Sequence, residues 1–246
     1  MIKILQLEPL KLIKQIYYDL AYKLFLAGIF LLPSAPSFSI ILFIYPIFKG
    51  LRINSKKVFE DKINFLLMAA GTIMIIKSVI NSLNFEQQFE NWNSNLNWIG
   101  LGNYLPLFFF YIGLKPYLNS NMKRENFGKF LLLGTIPVIF SCFAQYFLKW
   151  YGPYELLNGL VIWFQRPLTE ANQPVSGLFN NPNYTGAWLA MIWPFAIALQ
   201  SNFKNKKDFG YLVIFSFCVS IIFTLNLINS RGAWLGFLLS IPIIYG

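Results

Sequence analysis

Two arginines stand out in a chain this apolar. Arg231 interrupts an apolar run in Ser230-Arg231-Gly232-Ala233-Trp234, and Arg166 opens the polar stretch Gln165–Trp193. A guanidinium near membrane depth is costly unless it faces protein or a water-filled cavity, so Arg231 is expected to hold something there. Its planar fork of N–H donors suits a phosphate or diphosphate. The competing reading is an interface anchor whose charged head reaches the headgroups. Gly232 permits close backbone approach beside it, and Gly236 follows at helical spacing.

The second chemical landmark is the turn Gly177-Leu178-Phe179-Asn180-Asn181-Pro182-Asn183. Asn181 precedes proline and is pushed out of the α region, so it should end one conformation. Asn183 is then expected to cap an apolar helix starting near Tyr184. A capped helix start offers free N–H groups and a positive dipole end, which suits an anion. The amides of Asn180, Asn181 and Asn183 also suit sugar hydroxyls, although Asn is equally what such a turn prefers. Arg231, Arg166, Asn181 and Asn183 are the candidate substrate-binding residues, and no residue is assigned as catalytic. Lys149 lies in the same loop system and reads as a solvated loop charge. Glu155 and Glu170 have no visible partner and read the same way. Lys77 falls inside an apolar run, where it either snorkels outward or pairs with a carboxylate. Trp188 and Trp193 belong to an aromatic lining or to lipid contact.

Much other chemistry is excluded. The chain has no histidine, which removes the commonest general base and metal ligand. Cys142 and Cys218 lie far apart in apolar runs and read as packing residues. No carboxylate pair, GxSxG, Walker or Rossmann glycine pattern is present. No metal or cofactor is expected. The net charge of +10 does not point to nucleic acid, because the basic residues cluster between apolar runs as the positive-inside rule describes.

The elements that position these residues follow from hydropathy. With 56% hydrophobic and 12% charged residues, and several runs reaching about 20 residues, the chain reads as an all-α, polytopic integral membrane protein. Met1 to Lys23, with Lys3, Lys11, Lys14 and Lys23, is a cytoplasmic amphipathic lead-in. Ser34-Ala35-Pro36 is a poor cleavage site, so the lead-in is not a signal peptide. Tyr17 to Phe48 is a hairpin of two short spans, broken at Pro33-Ser34-Ala35-Pro36-Ser37. Further spans are expected at about Ile63–Leu83, Trp98–Leu118, Phe127–Leu148, Tyr184–Gln200, Phe209–Ile228 and from Gly232 onward. Asn84 to Asn97, with Glu86 and Glu90, and the long loop Trp150 to Asn183 fall outside. Lys49, Arg52, Lys56, Lys57 and Lys62, then Lys115, Lys123, Arg124 and Lys129, then Lys204, Lys206 and Lys207 fall inside. Trp92 and Trp98 sit near the outer interface. This makes about eight transmembrane helices in one transmembrane domain, 1–246, with a cytoplasmic N-terminus. The last residues, Ile241 to Gly246, lie in an apolar run, so the chain is expected to be part of a longer protein.

Arg166, the turn through Asn180-Asn181-Pro182-Asn183-Tyr184 with Pro194 in the following helix, and Ser230-Arg231-Gly232-Ala233-Trp234-Leu235-Gly236 together resemble the O-antigen ligase/polymerase superfamily of bacterial envelope glycan enzymes. The resemblance covers roughly the last third of the chain. It implies a multispanning glycosyltransferase of the C type in the bacterial inner membrane. Such an enzyme takes a glycan from an undecaprenyl diphosphate carrier on the outer side and transfers it to lipid A core, another glycan or a protein. The implied partners are a lipid-linked oligosaccharide, an acceptor glycolipid or glycan, and membrane lipids, with no nucleic acid. By that likeness Arg231 holds the diphosphate and Arg166 assists. Cations near a departing diphosphate neutralise its charge, so the chemistry is coherent. The family carries a further external loop with catalytic residues, including a histidine in the ligases, and this chain lacks that portion. The alternative is an inorganic-carbon (bicarbonate) or other anion transporter, as described for some superfamily members. A structural membrane subunit is a third reading.

Overall fold

The computed structural model describes residues 9–53, 55–84, 95–170, 173–201, 203 and 208–245. Lys3, the centre of the expected loop with Glu86, Glu90 and Trp92, and the lysines at 204, 206 and 207 lie outside them. The described elements run α1 (Pro9–Leu31), α2 (Pro36–Ile53), α3 (Ser55–Glu60), α4 (Lys62–Asn84) and α5 (Asn95–Leu114). A 3-10 turn (Lys115–Leu118) leads to α6 (Asn121–Phe147), β1 (Tyr154–Leu156), β2 (Val161–Trp163), α7 (Pro182–Ser201), α8 (Phe209–Ile228) and α9 (Arg231–Tyr245). The chain is mainly helical. α2, α4 over Lys62–Leu83, α6 and α8 are long and apolar enough to cross a bilayer, and Leu20–Leu31 of α1 is a shorter apolar stretch. These helices support a membrane-embedded protein.

The helices fill the apolar runs, and identifiable residues break them. Pro36 is the first residue of α2, a position where the missing N–H costs nothing. The turn before it is closed by Ser39 Oγ, which donates to the carbonyl of Gly28 at 2.7 Å. α6 begins behind Ser120, whose side chain accepts from the N–H of Lys123 at 3.3 Å, a helix N-cap. α8 ends on Asn229 in the left-handed region, φ 51°, where Asn is tolerated better than most residues. From Pro9 onward the lysine-bearing lead-in is part of α1 itself.

The packing forms two compact units. The first comprises Met1–Phe25 and Phe43–Asn119. Its core is aromatic: Phe25 and Tyr117 stack at 5.3 Å between ring centroids, and Phe43 meets Phe110 edge-on at 5.5 Å. The Tyr117 hydroxyl donates to the Pro46 carbonyl at 3.0 Å. Asp61 caps α4, accepting from the N–H groups of Ile63 and Asn64, and pairs with Lys115. Lys77 is exposed on α4.

The second unit comprises Leu26–Leu42 and Ser120–Gly246, with α7 packed on α6, α8 and α9. Trp188 Nε1 donates across to Thr135 Oγ1 of α6 at 3.1 Å. The Trp193 ring lies on Phe237 of α9, 4.4 Å between centroids. Both tryptophans therefore face neighbouring helices. Cys142 and Cys218 are free and buried.

The segment between α6 and α7, expected as a long loop, has secondary structure of its own. It contains an antiparallel hairpin, with Tyr154 opposite Trp163, Glu155 opposite Ile162 and Leu156 opposite Val161. Aromatic and β-branched residues favour strands. Between them Leu157, Asn158 and Gly159 take positive φ values of 55°, 54° and 86°, which turn the chain back.

Candidate functional site

The two polar landmarks meet at one end of the second unit. α7 starts at Pro182, two residues before the expected Tyr184, and its cap is Asn181 rather than Asn183. The Asn181 Oδ1 accepts from the N–H of Asn183 at 2.9 Å. The reason is local. Proline has no N–H to leave unsatisfied and a φ already suited to a helix, so it takes the first helical position and makes the preceding Asn the cap.

Asn183 is thereby released for another role. Its Oδ1 accepts a hydrogen bond from Ser230 Oγ at 2.9 Å. Ser230 in turn caps α9, its Oγ accepting from the N–H of Ala233 at 3.4 Å. The starts of α7 and α9 are thus side by side, joined through the side chains at the mouth of each helix. Close approach comes from Gly186, not Gly232. A Cβ built on Gly186 would lie 2.7 Å from the Cβ of Ala233, whereas one on Gly232 meets nothing within 4 Å. Gly236 contributes a looser contact, 3.6 Å from the Ala190 Cβ. Small residues let helices approach in just this way within membranes.

Arg231 is the first residue of α9 and is exposed. A cation in the first turn opposes the positive end of the helix dipole, by about 0.3–1 kcal/mol. The same positive helix end favours an anion beside the guanidinium, although the N–H groups of Asn183, Tyr184 and Thr185 at the start of α7 are already bonded to Asn181. Arg166 is exposed as well. Its main chain is held in this cluster, but no described hydrogen bond links its guanidinium to Arg231, Asn181 or Asn183.

What holds the cluster is Gln145, which hydropathy reading passed over. It is fully buried near the end of α6. Its Oε1 accepts from the N–H groups of Ser176 at 3.0 Å and Gly177 at 2.8 Å. Its Nε2 donates to the Arg166 carbonyl at 2.7 Å. One amide therefore fixes both strands of the loop. The Arg166 N–H reaches Ser176 Oγ at 3.4 Å, and the buried Thr185 hydroxyl donates to the Ser176 carbonyl. Val175 N–H donates to the Leu227 carbonyl of α8 at 3.2 Å. The loop is bonded to α6, α7 and α8 before it reaches the Asn turn.

Gly177 is needed where it stands. Its φ is 55°, and a Cβ there would come 2.6 Å from Cys142 Sγ and 2.9 Å from Ser141 Oγ. A single Gln in the apolar run of α6 was the available signal for Gln145, since a buried amide must find partners.

The remaining charges do not join this site. Lys149 lies over the Tyr146 ring, 5.2 Å from its centroid. Glu155 is exposed on β1, and Glu170 is exposed in the loop. No group of His, Cys, Asp and Glu able to hold a metal ion occurs among the described residues. Comparison with protein-family models, curated proteins and solved structures found no match.

Proposed function

We propose that the chain belongs to a membrane glycosyltransferase that takes a glycan from a lipid diphosphate carrier, with the junction of α7 and α9 as the diphosphate site. The observation that carries this reading is the Ser230–Asn183 hydrogen bond of 2.9 Å. It joins two helix starts under an exposed arginine, and an arginine suits a diphosphate through paired hydrogen bonds. The residues that do this are those on which the resemblance to the O-antigen ligase/polymerase superfamily rests. In this reading Arg231 binds the diphosphate and stabilises its departure. Asn181 and Asn183 set the two helix starts, and Arg166 assists from the loop.

The same reading adds α1, α5, α7 and α9 to the four helices that are long and apolar enough to cross the bilayer. The N-terminus is then cytoplasmic in a bacterial inner membrane, and the α7–α9 junction is outside. The acceptor is a glycolipid, a glycan or a protein. The test is the Arg231→Ala variant of the complete protein, assayed for transfer from a lipid-linked oligosaccharide. Transfer should be abolished while the folded protein is recovered in normal yield; unchanged surface glycan in that variant would sink the reading.

A further inference from the structure

The hairpin β1–β2 exposes a cluster of large apolar side chains. Leu156, Leu157 and Leu160 are 59%, 64% and 50% exposed. Tyr154 and Trp150 are exposed beside them. Contiguous exposed apolar patches mark a surface that meets another molecule or a membrane. Leu156 to Gln165 contains no charged residue.

The register shows how the hairpin is turned. Tyr154 faces Trp163 and Leu156 faces Val161, so these four side chains share one face. Glu155 and Ile162 share the other. The first face looks toward α6. A cavity of about 430 Å³ lies there, lined by Phe140, Ser141, Trp150, Tyr154, Leu156, Trp163 and Gln165. Phe140 stands seven residues before the end of α6, which is about 10 Å of helix rise. The hairpin is therefore folded down along a helix long and apolar enough to cross a bilayer. It does not stand off from the helix end.

The apolar surface is also continuous. Leu133, Ile136, Phe140 and Phe147 are exposed along one face of α6, as spacings of three, four and seven residues require. That stripe leads to Trp150, whose ring meets Phe140 edge-on at 6.2 Å, and on to the hairpin. Trp163 Nε1 donates to the Ser34 carbonyl at 2.8 Å, fixing the base of β2 at the α1–α2 turn. Indole and phenol rings settle at the membrane interface, where one end is apolar and the other wet.

We propose that the hairpin Tyr154–Trp163 is seated in the lipid interface beside the end of α6. Leu156, Leu157 and Leu160 lie at the boundary between headgroups and hydrocarbon, Glu155 faces water, and the cavity opens to lipid hydrocarbon. This rests on the apolar helices and the hairpin geometry, not on the glycan-transfer reading.

The test is a depth measurement on the complete protein in vesicles of phosphatidylethanolamine and phosphatidylglycerol. Leu157→Cys and Leu160→Cys are made separately and labelled with a nitroxide, so that either alone carries the test. Thr169→Cys, exposed in the same loop, is the reference, and the labelled wild type measures background at the two buried native cysteines. Collision with oxygen should exceed collision with a water-soluble nickel chelate at 157 and 160, and the order should reverse at 169. Nickel-chelate collision at 157 and 160 equal to that at 169 overturns the proposal. Neither result depends on which substrate the protein takes.

Discussion

The start of α7 is approached by 34 residues, 148–181, whereas α9 follows α8 after only Asn229 and Ser230. The long approach is heavily bonded. Gln145, Ser176 and Thr185 tie it to two helices, and its last residue, Asn181, is a neutral cap. The short approach has a left-handed Asn, a buried serine cap and then an exposed arginine. The comparison separates two tasks. α7 supplies a fixed position, and α9 supplies charge at that position. Substitutions at the first should cost stability, and substitutions at the second should cost binding.

The largest effect is expected from Gln145→Leu. It leaves the buried N–H groups of Ser176 and Gly177 and the half-buried Arg166 carbonyl without their partner. Each such loss costs about 1–3 kcal/mol, so a destabilisation of about 4 kcal/mol is predicted. Thermal unfolding in detergent measures it, and a change no larger than that of an exposed-site variant such as Thr169→Ala would break the comparison. Gly177→Ala should follow at about 3 kcal/mol, from left-handed strain plus overpacking against Cys142. Recovery of part of that loss in Gly177→Ala combined with Cys142→Ala would confirm the contact, and strict additivity would count against it. Asn181→Ala should cost about 1 kcal/mol as the loss of a helix cap, with Asn183→Ala separable from it because only Asn181 caps.

The smallest effect is expected at a pair remote from this junction. A hydrogen bond from Lys115 holds the Asp61 carboxyl below its usual 3.8. A depressed carboxylate adds stability above its unfolded pKa and loses it as pH falls through the folded value. The pair is exposed and salt-screened. Acid titration of wild type and Lys115→Met should therefore differ slightly, with the wild-type advantage present above pH 3.8 and fading below it. A wild-type advantage that grows on acidification would reverse the assignment.

Much of the helical frame was legible because hydropathy marks it directly. α8 coincides with the expected run Phe209–Ile228, and the expected break at Pro33–Ser37 contains the turn after α1 and the first residues of α2. Helix ends were less legible, since they depend on polar side chains. α6 begins at Asn121 rather than near Phe127, because Ser120 caps a first turn that is too polar to register as a span. The Asn turn marks a helix start in the sequence, but Pro182 takes the first helical position and moves the cap from Asn183 to Asn181. Gln145 and the hairpin were hidden for a different reason. Both owe their meaning to residues distant in sequence, and no local period announces such partners. Gly186 was missed because a glycine in an apolar run gives no sign of which helix will approach it.

The central claim is that Arg231 and the two helix starts form an anion site. The most direct measurement is binding of a short-chain isoprenyl diphosphate to the purified protein, comparing wild type with Arg231→Ala. A charge-assisted hydrogen bond contributes about 1.5–3 kcal/mol, so binding should weaken by about tenfold or more. In the absence of ligand the variant should be no less stable than wild type, because a cation has left a helix N-terminus. Equal affinity in the two proteins would contradict the account.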